Sequence, residues 1–236
     1  MVRLHALVEG QTEESFVNEI LAPELQVYSV FVDARCVATG RRHGRKQKGG
    51  AANFARVRRE LVRWMKEDRG PDSWFTSMFD LYRLDSGFPG FEDCATHTEA
   101  LQRVKCIETA FADDIDQEFG KEGISRRFIP YIQLHEFESL VFADPEALLT
   151  VRPNQEDAIK QLLEIKQAAG GAELVNGGHE TTPSKRLLNL IPDYAKTVDG
   201  ILTIKHIGFP KLKSQCPHFA CWTERLLAAA ATQKPQ

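Results

Sequence analysis

Short apolar runs alternate with amphipathic segments along the first 144 residues. The runs that predict buried strands are residues 2–8, 30–37, 74–79 and 128–134. Between them, apolar side chains recur at helical spacing in segments that begin near Thr12, Asn53 and Thr96. Pro23 predicts the end of the first helix, and Thr96 to Glu99 has the sequence of a capping box. This alternation predicts an α/β fold with a Rossmann-like core of about four parallel strands.

The pattern changes after Asp144. β-rich runs disappear, and short helical segments are separated by prolines and glycines. Thr182 followed by Pro183 is a favourable helix start, because proline lacks only an N–H that would be unpaired there. We therefore divide the chain into an α/β domain, residues 1–144, and a helical C-terminal region, residues 145–236, that packs on or beside the core.

Composition narrows the class of protein. A hydrophobic fraction of 42% and a charged fraction of 27% exclude a disordered or coiled-coil chain. No apolar run approaches the roughly 20 residues of a membrane helix, and the N-terminus lacks the cleavage site of a signal peptide. The five cysteines are odd in number and widely spaced, which favours reduced thiols. These features predict a cytoplasmic protein without a membrane partner.

Acidic side chains follow three of the four predicted strands. Glu9 ends the first strand, Asp80 the third, and His135-Glu136-Phe137-Glu138 the fourth. Ligands of open parallel sheets bind at the carboxyl ends of the strands. We therefore expect these acids at one edge of the sheet, with Glu9 and Asp80 within about a dozen ångströms of each other, close enough to share bound cations.

Unpaired carboxylates repel one another, so a cluster of them normally holds a cation. Glu9, Gly10 and Glu13 form a short motif in which two carboxylates can serve one metal. Oxygen ligands suit Mg²⁺ or Mn²⁺ better than zinc. The alternative is that each acid caps the helix that follows it. Three strand ends with acids favour the metal site.

His135 has two interpretations. It is a candidate catalytic base or ligand, but a histidine at the end of an apolar strand is more often a hydrogen-bonded structural residue. Among Glu136 and Glu138, we expect Glu136 nearer the metal and Glu138 as an outer ligand or helix support.

Positive charge is concentrated in one segment, although the net charge of the chain is −3. Residues 35–66 contain eleven Lys and Arg and a single acid, Glu60. Such a segment can attract a polyanion, or it can be a solvated loop and helix face. Two further cations, Lys185 and Arg186, lie at a predicted helix start, where a phosphate contact and a surface ion pair are equally plausible. The candidate nucleic-acid-binding residues are Arg41, Arg42, Arg45, Lys46, Lys48, Arg56, Arg59, Arg63, Lys185 and Arg186.

Several segments resemble a known family. They are VEGQTE at 8–13, MFDLYRLDSGFPG at 78–90, YIQLHEFESLVF at 131–142, TPSKRL at 182–187 and IGFPKLKSQCPHFACW at 207–222. The first is similar to the opening motif of TOPRIM domains, especially those of the overcoming-lysogenization-defect (OLD) nucleases. Together the segments resemble a bacterial family of uncharacterised TOPRIM-like proteins that are often encoded beside an ATPase of the ABC/SMC type.

The resemblance implies a Mg²⁺-dependent fold used for phosphodiester chemistry. In it Glu9 corresponds to a metal ligand or general acid/base, Glu13 to a second acid, and Asp80 to the first aspartate of an Asp-x-Asp pair. The chain departs from the family at Tyr82, which stands where the second aspartate is expected. Asp85 is a candidate replacement ligand in the following loop.

These observations lead to three hypotheses. The first is a Mg²⁺- or Mn²⁺-dependent nuclease that works on nucleic acid with a partner ATPase, a setting in which the resemblance implies defence against phage. The second is a non-catalytic effector or regulatory module that binds nucleic acid or a nucleotide, and Tyr82 is its main support. The third is an interaction protein in which the acids are helix caps. A homodimer stays an open alternative for each.

Overall fold

A computed structural model describes residues 1–37, 53–120, 123–176 and 181–231. A parallel sheet lies at its centre, in the order β2-β1-β3-β4, and β5 pairs with the end of β3. The described strands are β1 (Val2–Val8), β2 (Val30–Cys36), β3 (Ser73–Asp80), β4 (Phe128–Ile129) and β5 (Ile132–Gln133). The predicted α/β class with a parallel sheet is therefore confirmed.

Helices connect the strands and make up the C-terminal region. Those of the first half are α1 (Gln11–Phe16), α2 (Ala22–Gln26), α3 (Phe54–Glu67) and α4 (Ala100–Phe119). Those of the second half are α5 (Leu148–Val151), α6 (Glu156–Ala169), α7 (Pro183–Leu190), α8 (Ile201–Ile207), α9 (Phe209–Gln215) and α10 (Pro217–Ala231). None of the described helices has the length and apolarity that crossing a bilayer requires.

The sheet is covered on both faces, as its apolar strands require. Alternate residues of β1 such as Leu4 and Ala6 belong to one hydrophobic core, which includes residues of α1 and the C-terminal helices. Leu7, Phe75 and Phe79 belong to a second core with α3 and α4. The C-terminal region therefore completes the first core of the α/β domain.

Helix α10 is fastened to the sheet by aromatic side chains. The Trp222 ring stacks on Tyr131 with centroids 4.2 Å apart, and its indole N–H donates to Thr76 Oγ1 at 2.9 Å. Both rings are fully buried, so their large apolar area adds to the hydrogen bond. This contact joins the last described helix to the centre of β3.

Several local expectations are corrected. Pro23 does not end the first helix, because a π-helical turn (Val17–Leu21) leads into α2, where proline occupies the first turn and needs no hydrogen-bond partner. The expected capping box is absent from the described structure: Thr96 lies in a 3₁₀ turn, and Glu99 precedes α4 without a side-chain cap. The predicted strand 128–134 is divided into β4 and β5 around Pro130.

The expectation that all five cysteines are reduced thiols is wrong. Cys94, in a 3₁₀ turn, and Cys106, on α4, form a disulfide across twelve residues of sequence. Cys36, Cys216 and Cys221 are free. Spacing misled the prediction because the turn folds back onto the helix and brings two distant positions together.

Candidate functional site

Glu9 and Asp80 lie together at the carboxyl edge of the sheet. β1 and β3 are paired in register up to Val8 and Met78, and the Glu9 N–H donates to the Met78 carbonyl at 3.2 Å. The Asp80 N–H in turn donates to Glu9 Oε2 at 3.4 Å. The two acids are thus much closer than the dozen ångströms that the sequence argument required.

Two further acids complete what we call the carboxylate cluster, which consists of Glu9, Glu13, Asp80 and Glu138. Glu13 lies in the first turn of α1, and Glu138 in a 3₁₀ helix (Phe137–Ala143) that follows β5. Asp80 is 2% exposed and Glu138 1%. Burying charge in this way is costly without compensation.

Lys196 provides part of that compensation. Its Nζ atom lies 3.4 Å from Glu13 Oε1, 3.6 Å from Asp80 Oδ2 and 3.4 Å from Glu138 Oε2. The ammonium group also lies over the Phe137 ring, 5.5 Å from its centroid. Burial alone would lower the pKa of Lys196, but the surrounding carboxylates raise it above its ordinary value, so the side chain is charged.

An ion pair between Arg152 and the buried Asp199 carboxylate holds the backbone that presents Lys196. The lysine begins a π-helical turn (Lys196–Gly200), and Asp199 in the same turn accepts the Ala195 N–H at 2.8 Å. Arg152 donates to Asp199 Oδ2 at 2.7 Å. Because the Asp199 carboxylate is nearly inaccessible and bound on both sides, the turn is rigidly placed against the carboxylate cluster.

Negative charge still exceeds positive charge at the site. Besides Lys196, Arg83 approaches the cluster, with its Nε atom 3.4 Å from Glu9 Oε1. Among the described residues, four carboxylates facing two cations leave a charge of −2 when all are ionised. Burial and the Glu13 carboxylate accordingly raise the pKa of Glu9 to about 7.

The other buried acids respond in the same direction. Burial raises the pKa of Asp80 well above its usual value, and Glu9 and Glu13 add to the effect while Lys196 opposes it. Burial likewise raises the pKa of Glu138. Asp80 Oδ1 is buried and has no hydrogen-bond partner among the described residues. The site therefore holds protons more tightly than free carboxyl groups do, and Asp80 Oδ1 offers an acceptor that its own cations leave unused.

The carboxylates converge on an ammonium group rather than on an open metal position. Within the described part of the chain, no three His, Cys, Asp or Glu side chains are arranged as a ready ligand set. The charge of −2 that the ionised carboxylates would leave, together with the unpartnered Asp80 Oδ1, nevertheless fits a divalent cation, which also prefers oxygen ligands of this kind. Such a cation requires the Lys196 ammonium to move from its central position.

A cavity of about 700 Å³ opens beside the cluster. Its size is that of pockets that bind small ligands. Acidic and basic groups both line the cavity, together with the exposed side chains of Tyr82 and Leu188. The lining residues are Asp80, Tyr82, Arg83, Glu136, Glu138, Thr182, Ser184, Lys185, Leu188 and Lys196.

Glu136 and Glu138 have different partners in the structure. Glu136 Oε2 accepts the Ser184 N–H at 2.9 Å and thereby caps the start of α7. Glu138, expected as the outer ligand, contacts Lys196 inside the cluster. The chain turns from extended at Glu136 into a 3₁₀ helix, which sends the two side chains to different partners.

His135 and Asp85 take structural positions. His135 is buried in a left-handed conformation (φ 62°), and burial lowers its pKa to about 4, which makes it a weak base at neutral pH. Asp85 accepts from Asn53 Nδ2 at 2.8 Å and from the Phe54 N–H at 3.2 Å. Its carboxylate thus caps α3, and the described contacts do not join it to the carboxylate cluster.

The predicted basic residues divide into three groups. Arg41, Arg42, Arg45, Lys46 and Lys48 lie outside the described residues. On α3, Arg59 lies 3.8 Å from Glu60, and Arg63 lies near both Glu60 and Glu67. For Arg56, the described structure records only a backbone hydrogen bond to Asn53.

The two cations of α7 differ from each other. Lys185 lines the cavity. Arg186 instead donates to the Thr181 carbonyl at 2.8 Å, which makes it part of the local chain geometry. Of these two cations of α7, Lys185 is therefore the one that can contact a ligand in the cavity.

Sequence reasoning missed Lys196 and did not assign a role to Arg83. Lys196 lies 58 residues after Glu138, in a segment without a strand or a motif that would indicate a site. Only the packing of the C-terminal region brings it to the sheet edge. Arg83 lies three residues after Asp80, and that proximity was the one available signal.

Comparison with known proteins identifies a family but no activity. No curated protein and no solved structure matches the chain. One family model, described as a domain of unknown function (DUF4276), matches residues 8–227. Because the match spans most of the sequence, the chain belongs to the DUF4276 family.

Proposed function

We propose that this protein is a Mg²⁺- or Mn²⁺-dependent enzyme that cleaves phosphodiester bonds of nucleic acid. The observation that carries the proposal is the convergence of four carboxyl groups, the carboxylate cluster, at the carboxyl edge of a parallel sheet, where ligands of such folds bind. A set of acids that only capped helices would not share one buried centre.

The cluster supplies the ligands for a divalent cation. Glu13, Asp80 and Glu138 are the acids that would hold it, with Glu9 beside them. When bound, such a cation stabilises the charge of a phosphoryl group and lowers the pKa of water. Burial keeps these interactions strong, because little water screens them.

The remaining residues of the site have separate tasks. Lys196, Arg83 and Lys185 can contact phosphate oxygens at the cavity. With a pKa of about 7, Glu9 can accept or release a proton at its carboxylate near neutral pH. The site thus combines phosphate binding with proton transfer.

The basic segment favours nucleic acid as the substrate. Residues flanking its undescribed part lie at the carboxyl edge: the Val37 N–H donates to the Val8 carbonyl at 2.9 Å, and Asn53 contacts Asp85. The segment therefore leaves the described structure beside Val8, next to Glu9 in sequence, and re-enters it at the loop that holds Asp85. Its charge would bind the backbone of a polyanion, and binding should weaken steeply with salt.

The biological setting of the proposal depends on resemblance alone. The TOPRIM-like motifs imply a partner ATPase of the ABC/SMC type and a role in defence against phage. The proposed cytoplasmic location also depends on these motifs. Reduced thiols no longer support it, because Cys94 and Cys106 form a disulfide. A homodimer is compatible with this setting.

Cleavage assays test the activity directly. Wild type, Asp80→Asn and Glu146→Gln are incubated with DNA and RNA in Mg²⁺, Mn²⁺ or EDTA, alone and with the partner ATPase. Glu146 is an exposed acid outside the site and serves as the control. We expect metal-dependent cleavage by wild type and control, and a loss of roughly 100-fold or more in Asp80→Asn. Cleavage that survives in Asp80→Asn, or that never occurs with wild type, contradicts the proposal.

One observation favours a second function, a binding module without turnover. The central position of the Lys196 ammonium partly neutralises the carboxylates without any metal. A binding module predicts that wild type and Asp80→Asn support the activity of an ATPase system equally well. An enzyme predicts that Asp80→Asn abolishes it.

A further inference from the structure

We propose that the cavity beside the carboxylate cluster takes one unpaired nucleotide of a nucleic-acid strand, with its base against the Tyr82 ring. This inference rests on the proposed function and names its substrate class, which is single-stranded rather than duplex nucleic acid. Tyr82 is then a residue that determines specificity.

The exposure of Tyr82 is the first observation. The His135 ring that packs against it is buried, yet Tyr82 is 39% exposed and lines the cavity. Leu188 of α7, 43% exposed, lines the same cavity. Two exposed apolar surfaces in one cavity, beside charged groups, can receive a ligand that has both an apolar face and a charged group.

The Tyr82 ring is held in place from behind. The backbone N–H of Tyr82 donates to the His135 carbonyl at 3.2 Å. The His135 ring lies 5.2 Å from the Tyr82 ring, measured between centroids. A hydrogen bond with Asn176 restrains the phenol. A ring fixed in this way loses little conformational entropy when a base stacks on it.

His135 adopts an unfavourable backbone conformation at this point. Its φ of 62° lies in the left-handed region, which a residue with a Cβ rarely occupies. Backbone strain of this kind persists where the surroundings fix it and is concentrated at functional sites. Here the strained residue supplies both the carbonyl and the ring that support Tyr82.

The shape of the site distinguishes unpaired from paired strands. Asp80 and Glu138 are almost completely buried, so a phosphodiester must enter the cavity to reach them. In a duplex each base is stacked and paired, and none offers a free face unless it is extruded. An unpaired nucleotide can enter with its phosphate towards Arg83 and Lys185 and its base towards Tyr82.

Binding measured without cleavage tests the inference. The probes are fluorescein-labelled single-stranded DNA and RNA of one sequence and the blunt DNA duplex of that sequence, in Ca²⁺ so that strands stay intact. The proteins are wild type, Tyr82→Ala, Tyr82→Phe and Tyr28→Ala. Tyr28 is also exposed but lies just before β2, at the opposite edge of the sheet, and is the matched control.

We expect wild type to bind at least one single strand roughly tenfold or more tightly than the duplex. Tyr82→Ala should weaken single-strand binding roughly 5-fold to 100-fold, as loss of one base–aromatic stack does. Tyr82→Phe and Tyr28→Ala should stay within about twofold of wild type. Equal affinity for single strand and duplex, or unchanged binding by Tyr82→Ala, overturns the inference.

The outcomes separate this inference from the proposed function. Metal-dependent cleavage without a preference for single strands would support the proposed enzyme and contradict the proposed role of Tyr82. Single-strand binding that depends on Tyr82, in a protein that cleaves no nucleic acid, would support the nucleotide site and contradict the proposed enzymatic activity. Thermal unfolding of each variant identifies any that fails to fold, and Tyr82→Phe then carries the comparison of strand and duplex.

Discussion

At the scale of single residues, Lys196 is central to the site. Its ammonium group lies within 3.6 Å of three carboxylates that no strand or helix of its own region supplies. A buried carboxylate without a counter-charge is strongly destabilising. Lys196 therefore keeps the site folded, and a divalent cation that binds there must compete with it.

Removing the Lys196 charge should make the folded state depend on metal. We expect Lys196→Met to lower the Tm in EDTA and Mn²⁺ to raise the Tm of this variant by more than it raises that of wild type, because the metal replaces the lost charge. Lys205→Met is the control, since Lys205 is an exposed lysine paired with Glu19 at 3.9 Å. Scanning calorimetry measures both effects. Equal Mn²⁺ responses in Lys196→Met and wild type would count against a shared site.

Glu9 gives the metal-free protein a defined pH dependence. Its pKa of about 7 in the folded state exceeds the ordinary value near 4.5, so the folded protein holds a proton that the unfolded chain has released. The free energy of unfolding therefore falls as pH rises from about 4.5 to 7.

Glu9→Gln should make this fall smaller. We expect its Tm at pH 8 in EDTA to exceed that of wild type by roughly 5 °C, and the two to approach each other at pH 4.5. Glu24→Gln, an exposed position on α2, should follow the wild-type curve. Parallel Tm curves for wild type and Glu9→Gln across this pH range would refute the expectation.

At the scale of elements, the site depends on how the π-helical turn that carries Lys196 is packed. Gly200 closes this turn, and a Cβ at that position would lie only 2.7 Å from Tyr194 Oη. The Tyr194 hydroxyl is buried, and the described residues offer it no hydrogen-bond partner. The space beside the Tyr194 hydroxyl therefore admits glycine at position 200 but no larger side chain without a shift of one of the two residues.

A double-mutant cycle tests this fit. Gly200→Ala should lower the free energy of unfolding by about 1–3 kcal/mol through overpacking. Tyr194→Phe, which removes the conflicting oxygen, should be close to neutral alone and should recover most of the loss in the double variant. Urea denaturation measures all four proteins. Additive losses in the double variant would mean that the two residues do not conflict.

Elements also show what the sequence can and cannot predict. Strands such as β1 and β3 and the course of α3 follow from local apolar periodicity, and strand ends identified Glu9 and Asp80. Side-chain direction at Glu136 and Glu138 was not predictable, because it depends on a change from extended chain to 3₁₀ helix. Lys196 could not be found, since its place depends on contacts between residues far apart in sequence.

At the scale of the whole molecule, the predicted boundary at residue 144 separates two parts of one hydrophobic core. Apolar residues of β1 and of the C-terminal helices belong to the same buried cluster, and Trp222 reaches Thr76 in β3. Among the described residues the strands end before residue 144, but periodicity does not reveal which surfaces are in contact.

A shortened chain tests whether the parts fold separately. We expect the fragment 1–144 to show no cooperative unfolding in urea, because one face of its sheet loses its cover. The full chain should unfold in a single transition under the same conditions. Circular dichroism measures both, and a cooperative transition in the fragment at the midpoint of the full chain would show an independent α/β domain.

The proposed chemistry requires a divalent cation to bind among the carboxylates that Lys196 now contacts. A crystal soaked in Mn²⁺ and measured by anomalous scattering tests this most directly. We predict a manganese peak in bonding contact with Asp80 and Glu138 or Glu13, and a Lys196 ammonium displaced from its central position. An ammonium that still contacts all three acids, with no manganese beside it at saturating metal, would contradict the proposed chemistry.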